Sequence, residues 1–183
     1  MAPDPFKTDP SAWIVRFAPL VRPGGAVLDL ACGGGRHARL FLDRGHPVTA
    51  LDREIAQARL ADGAERIEAD LEDGSPWPLE GRRFAAVVVA NYLWRPLFPA
   101  LLASLEADGV LLYETFARGN EAFGRPRNPD HLLDRGELLR LTQGLTIVAY
   151  QDGIEGNRKV VQRICAVNGA GPVPLPAGTG ADG

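Results

Sequence analysis

Apolar and polar positions switch between two periods along this chain. Trp13, Ile14, Phe17 and Leu20 recur at the spacing of one helix face, with Ser11 ahead of them as an N-cap, which predicts a helix through about Val21. Pro23-Gly24-Gly25 breaks it. Short apolar runs and helical stretches then alternate. Residues 26–30 read as a buried strand, and 36–44 as a helix closed by Gly45 at its C′ position. Residues 47–51 form a second strand, 54–60 a helix ending near Gly63, and 65–69 a short third strand. Phe84–Ala90 is nearly continuously apolar, as a central parallel strand is. Pro96 opens a helix running to about Ala107, and 110–115 is the fifth strand.

The connection over 116–133 is longer and carries Gly119, Gly124, Pro126 and Pro129. Asp134 and Glu137 have capping-box spacing, with Asp in place of Ser or Thr, ahead of Leu138, Leu139 and Leu141. Residues 145–150 and Lys159–Val167 are the last two strands, linked by Asp152-Gly153 and Glu155-Gly156-Asn157. No helix fits between them, so they are antiparallel neighbours. Repeated strand–helix units predict an α/β fold. Its core is a three-layer, doubly wound, mostly parallel seven-stranded Rossmann-like sheet with the last strand antiparallel. Ligands bind such sheets at the carboxyl ends of the strands. Residues 1–10, rich in Pro and Asp, are expected to be a loose arm, 11–168 the folded domain, and 169–183 a disordered Gly/Pro/Ala-rich tail.

Composition narrows the class. The 183 residues suit one domain, and 45% hydrophobic with 23% charged residues is ordinary for a soluble protein. A net charge of −3 offers no broad basic face for nucleic acid. Cys32 and Cys165 lie far apart with no ligand spacing, so neither a disulfide framework nor a metal site is predicted, and a reducing cytoplasm is the natural location. Met1-Ala2-Pro3-Asp4-Pro5 lacks the regions of a signal peptide, and the apolar run at 85–90 is too short to cross a bilayer. The expected partner is a small molecule, with the chain a monomer or homodimer.

Gly33, Gly34 and Gly35 sit where the first strand turns into a helix. Glycines there let the backbone turn sharply and a ligand approach with no Cβ in the way; a tight turn without ligand is the alternative. Gly33-x-Gly35-x-x-Ala38 also satisfies the dinucleotide pattern, with the acidic Asp52 about 20 residues on. Asp29, near the end of the first strand, separates the two ligands. A buried carboxylate needs hydrogen bonds or a positive partner. A pyrophosphate repels it, whereas S-adenosylmethionine (SAM), a sulfonium with an α-amino group, gives it a partner. Capping of loop amides by Asp29 is the alternative.

Asp52 closes the second strand, where a carboxylate accepts both ribose hydroxyls of SAM or NAD alike, or caps the following helix. Asp70 ends the third, placed to accept from an adenine amino group with Leu71 on the ring, or to form a solvated acidic turn with Glu72 and Asp73. Asn91 ends the fourth, followed by Tyr92 and Trp94 as pocket or core aromatics. Tyr113 and Glu114 end the fifth; Glu114 is the best candidate base. His37 stands in the first helical turn, and His131 in the late loop. Arg118, Arg125 and Arg127 flank that loop as anion contacts or solvated surface.

In this order the motifs resemble those of class I SAM-dependent methyltransferases over residues 11–167. Residues 27–37 look like the family's first motif, with Ala31 where a glycine is usual; its methyl group is tolerable if the backbone angle there is ordinary. Gly33-Gly34-Gly35-Arg36-His37 is similar, more loosely, to the small-molecule branch containing tellurite-resistance methyltransferases. The resemblance implies SAM as cofactor, contacted by Asp29, Ala31, Gly33, Gly34, Gly35, His37, Asp52, Arg53, Asp70, Leu71 and Asn91. It implies Asn91, Tyr113 and Glu114 as candidate catalytic residues. Asn91-Tyr92-Leu93-Trp94 replaces the Asn/Asp-Pro-Pro-Tyr segment tied to amino-group methylation of adenine or glutamine. An NAD(P)-binding oxidoreductase and a non-catalytic SAM-binding module are the alternatives.

Overall fold

The computed structural model describes residues 9–176. Of the expected arm and tail, residues 1–8 and 177–183 lie outside that range. Among the described residues, seven strands make one sheet in the order β3-β2-β1-β4-β5-β7-β6. They are β1 Val27–Leu30, β2 Val48–Asp52, β3 Glu65–Glu68, β4 Phe84–Ala90, β5 Leu105–Phe116, β6 Thr146–Glu155 and β7 Lys159–Val167. The first five pair in parallel, while β7 runs antiparallel to both β5 and β6. The expected reversed final strand is thus present.

Strand alternation sorts side chains onto two faces. Val27, Val88, Val110 and Leu112 pack with Trp13, Ile14 and Phe17 of α1 (Ala12–Phe17) and Ala38 and Phe41 of α2 (Arg36–Asp43). Leu28, Leu30, Val87, Val89 and Leu111 pack on the other face with Phe98 and Leu101 of α3 (Phe98–Ala103) and Leu138 of α4 (Glu137–Leu141). The helices cover both faces, giving three layers. Asp29 shares the face of Val27, so a carboxylate stands where an apolar residue belongs.

Several expected elements differ in extent. The first helix tightens into a 3-10 turn at Ala18–Leu20, where Pro19 enters. After β2 there is only a 3-10 turn, Ile55–Gln57, because the Leu60 amide bonds the Gly34 carbonyl at 3.0 Å and draws the chain onto the glycine loop. The helix expected to reach Ala107 stops at Ala103, since Leu105 already pairs with Phe84. Pairing shifts register before resuming at Val110, and Glu106 reaches out to Arg22 at 2.5 Å. Half of the expected capping box forms: the Glu137 carboxylate accepts the Asp134 N–H at 2.7 Å, but the Asp134 carboxylate turns to Arg118 and Gly136 is the N-cap. In addition, β6 absorbs Asp152-Gly153 and leaves a turn only at 156–158. At the start of the tail, the Thr146 hydroxyl donates to the Gly169 carbonyl at 2.5 Å.

Candidate active site

The glycine loop joins β1 to α2 in left-handed backbone. Ala31 has φ +52°, Gly33 +52° and Gly35 +82°. Open space surrounds the position a Cβ would take at Gly33, a cradle left for an approaching group, whereas a Cβ at Gly35 would lie 2.8 Å from the Cβ and N of Ala61. The ordinary angle that would make the Ala31 methyl group tolerable is absent: the residue stands in the region that L residues avoid.

Two carboxylates hold this loop. Asp52 accepts the Gly33 N–H on one oxygen and the Glu54 N–H on the other, both at 2.9 Å, tying the loop to the turn after β2. Asp29 is buried and accepts the Ala38 N–H, in the first turn of α2, at 2.8 Å. Burial pushes its carboxyl up to about 7, against the pull of the Ala38 amide and the Arg36 charge. Asp29 therefore does the amide-capping job, from beneath the loop. His37 is also buried, and its Nε2 accepts the Ser11 N–H at 3.1 Å, which fixes the N-terminal segment.

At the carboxyl ends of β1, β2, β4 and β5 and beside the turn after β3 opens a cleft of about 570 Å³. Of the expected site residues, Ala31, Asp52, Arg53, Asp70, Leu71 and Asn91 line it, and the structure brings them together from four separate connections. Asp29, Gly33, Gly34, Gly35 and His37 are not among the residues that line it. Asp70 accepts the Glu72 N–H at 2.9 Å, which shapes the turn after β3. Asn91 takes φ +59°, and its N–H donates to the Glu114 carbonyl at 2.9 Å. Burial and the neighbouring Glu72 carboxylate raise the Tyr92 phenol well above its usual range.

Tyr113 and Glu114 do not reach the cleft. The Tyr113 hydroxyl donates to the Tyr92 carbonyl at 2.8 Å, its ring stacks on Phe98, and burial raises its phenol far above the ordinary value. Glu114, on the opposite face, is buried against Arg163 at 3.0 Å. The wall at the end of β5 is made instead by Thr115 and Phe116. These two, with Glu54, Gln57 and Glu72, were missed by sequence reasoning. The strand-end rule applied one residue further along β5 selects Thr115. Arg125, Pro126 and His131 of the long connection complete the wall.

Residues 27–107 match the family model described as a methyltransferase domain. The match begins at β1 and takes in the glycine loop, Asp52, Asp70 and Asn91. Residues 27–107 carry a methyltransferase domain of that family. The chain is 32% identical over 127 residues to the ribosomal RNA small subunit methyltransferase H of Nostoc punctiforme, covering 65% of this chain and 37% of that protein. It is 35% identical over 109 residues to the malonyl-[acyl-carrier protein] O-methyltransferase of Serratia marcescens, covering 54% of this chain and 41% of that one. The chain thus spans about two fifths of the length of these relatives. The crystal structure of TehB from Haemophilus influenzae superposes with a TM-score of 0.70 at 14% identity, over 86% of this chain and 62% of that chain, a likeness of fold.

The residues of the methyltransferase domain fit SAM. The Gly33 cradle leaves room for a ligand against bare backbone, and the Asp52 oxygens reach the cleft after β2. Asp70 and Leu71 present an acceptor and an apolar surface beside it. Among the described residues no helix is long and apolar enough to cross a membrane.

Proposed function

We propose that this chain is a cytoplasmic SAM-dependent methyltransferase acting on a small-molecule acceptor. The observation that carries the reading is the Asp52 carboxylate. It stands at the end of β2 on the cleft wall, with each oxygen held by one backbone amide and a lone pair left on each. That is the arrangement a vicinal ribose diol requires. In this reading Gly33, Gly34 and Gly35 offer backbone to the amino-acid end of the cofactor, Asp70 and Leu71 hold the adenine, and Arg53 lies over the ribose. Ala31 and Asn91 face the sulfur. Bound SAM supplies an electrophilic methyl group; the chain's own task is to orient donor and acceptor in line and to exclude water. A cleft of about 570 Å³ suits a cofactor with a small acceptor, and the net charge of −3 gives no support to a nucleic-acid substrate.

Calorimetric titration with S-adenosylhomocysteine and with NADH tests the cofactor, and labelled methyl transfer tests the reaction. S-Adenosylhomocysteine is expected to bind, and Asp52→Ala is expected to weaken it by about 2 kcal/mol through loss of two charge-assisted hydrogen bonds. Binding of NADH alone, or an unchanged affinity in Asp52→Ala, overturns this reading. Tight binding with no transfer to any acceptor identifies a SAM-binding module instead.

A further inference from the structure

The cleft is electrically two-ended. Asp52, Glu54, Asp70 and Glu72 line it beside β2 and β3, where Arg53 lies 3.9 Å from Glu54. The opposite wall, from the end of β5 and the 116–133 connection, carries Arg125 and His131 and no carboxylate. Among the described residues Arg125 enters no ion pair, whereas Arg95, Arg118 and Arg163 each do.

Two side chains hold the connection in place. Asn120 is buried; its Nδ2 donates to the Pro126 carbonyl at 3.4 Å, next to Arg125, and its Oδ1 accepts the Val160 N–H at 3.1 Å. The Arg95 guanidinium donates to the carbonyls of Asp130 and Leu132, at 2.7 and 2.8 Å, on either side of His131. Arg95 is in turn clamped by both oxygens of Glu137, at 2.6 and 3.0 Å. These anchors fix the connection that carries Arg125 and His131 against the cleft.

On the same wall His131 is the one side chain of general-base chemistry among the described residues, and the carboxylate and phenols of the adjoining strand ends are withdrawn from that role. Glu114 is spent on Arg163, Tyr113 on a carbonyl, and the Tyr92 phenol is held well above its usual range. A nucleophile that arrives already ionised needs no base. Resting on the methyltransferase reading above, we infer that the acceptor is a small carboxylic acid, seated by Arg125 at the β4–β5 end of the cleft and methylated on a carboxylate oxygen. The carboxylate oxygen forms a bond to the methyl carbon as the carbon–sulfur bond breaks, its electron pair going to sulfur. The carboxylate and sulfonium charges cancel, no proton moves, and the products are a methyl ester and S-adenosylhomocysteine.

The test uses the full chain saturated with S-adenosylhomocysteine, titrated calorimetrically with benzoate, malonate and octanoate and with the matching amides. At least one carboxylate is expected to bind at least about tenfold tighter than its amide, and Arg125→Gln to abolish that preference. The affinity of Arg125→Gln for S-adenosylhomocysteine checks that its donor end is intact. With labelled SAM, the bound carboxylate is expected to give a base-labile methyl ester. Equal binding of acid and amide, carboxylate binding that survives Arg125→Gln, or no carboxylate binding overturns the assignment. A carboxylate that binds but yields no ester removes its oxygen as the methylated atom. Failure of the unaltered chain to bind S-adenosylhomocysteine sinks the methyltransferase reading itself.

Discussion

Asp29 is the residue whose environment and chemistry conflict most. It is fully buried on an apolar face, takes one backbone amide, and its carboxyl is pushed up to about 7 by burial, against the ordinary value near 3.9. Between those values the folded chain keeps a proton that the unfolded chain has released. Its contribution to stability therefore falls as pH rises from about 4 to about 7, and is level above that. Asp29→Asn still accepts from the Ala38 amide and does not ionise. Its stability relative to the unaltered chain is expected to be greater at pH 8 than at pH 5 in urea melts; an equal difference at both pH values rejects the assignment. Ala31 carries the second residue-scale tension, φ +52° with a Cβ. Left-handed backbone costs an L residue roughly 1–2 kcal/mol, part of which glycine's greater unfolded-state freedom offsets. Ala31→Gly is expected to stabilise the chain by about 0.5 kcal/mol in thermal melts, and a loss of stability would show that the methyl group packs usefully.

At the scale of elements, the glycine loop and the segment after β2 are one unit. The Leu60 amide binds the Gly34 carbonyl, and Ala61 packs where a Gly35 Cβ would stand. Gly35→Ala combines a left-handed angle with overlap against backbone, so it is expected to cost about 3 kcal/mol and to weaken S-adenosylhomocysteine binding with it. Gly33→Ala meets the same angle in open space and is expected to cost about 1 kcal/mol. Equal costs for the two in denaturant melts would remove Ala61 from the explanation. This unit also marks where sequence reading stops. β4 and β7 were legible to the residue because buried strands announce themselves by composition and pattern. The expected helix over 54–60 was not, because its helical propensity yields to a hydrogen bond with a loop some 25 residues away, which no local pattern records. The cleft wall was legible where a strand end coincides with a carboxylate, as at Asp52 and Asp70. Tyr113 and Glu114 fall short of that wall: one lies on each face of β5, as do Thr115 and Phe116, which form it, so position along the strand decides and not the face.

Over the whole molecule, the match to the methyltransferase domain ends at residue 107, yet the cleft needs Thr115, Phe116 and the long connection beyond it. Something must hold the two halves in register besides the β4–β5 ladder, and α1 does so on the face opposite α3. The Ser11 amide bonds His37 of α2 at 3.1 Å, while the Trp13 indole N–H donates to the Ile164 carbonyl of β7 at 3.3 Å. Trp13 is buried beside Phe17, with ring centroids 4.7 Å apart, and joins the core cluster that contains Val110, Leu112 and Cys165. Trp13→Phe keeps most of the packing and drops the hydrogen bond, so it is expected to cost about 1 kcal/mol. Trp13→Ala also opens a cavity between helix and sheet and is expected to cost about 3–5 kcal/mol. If α1 is a staple across both halves, Trp13→Ala lowers the single unfolding transition as a whole, seen together by far-ultraviolet circular dichroism and by fluorescence of Trp77 and Trp94. A second transition confined to β5–β7, or a loss below about 1 kcal/mol, would show instead that the sheet alone unites the halves and that α1 only covers it.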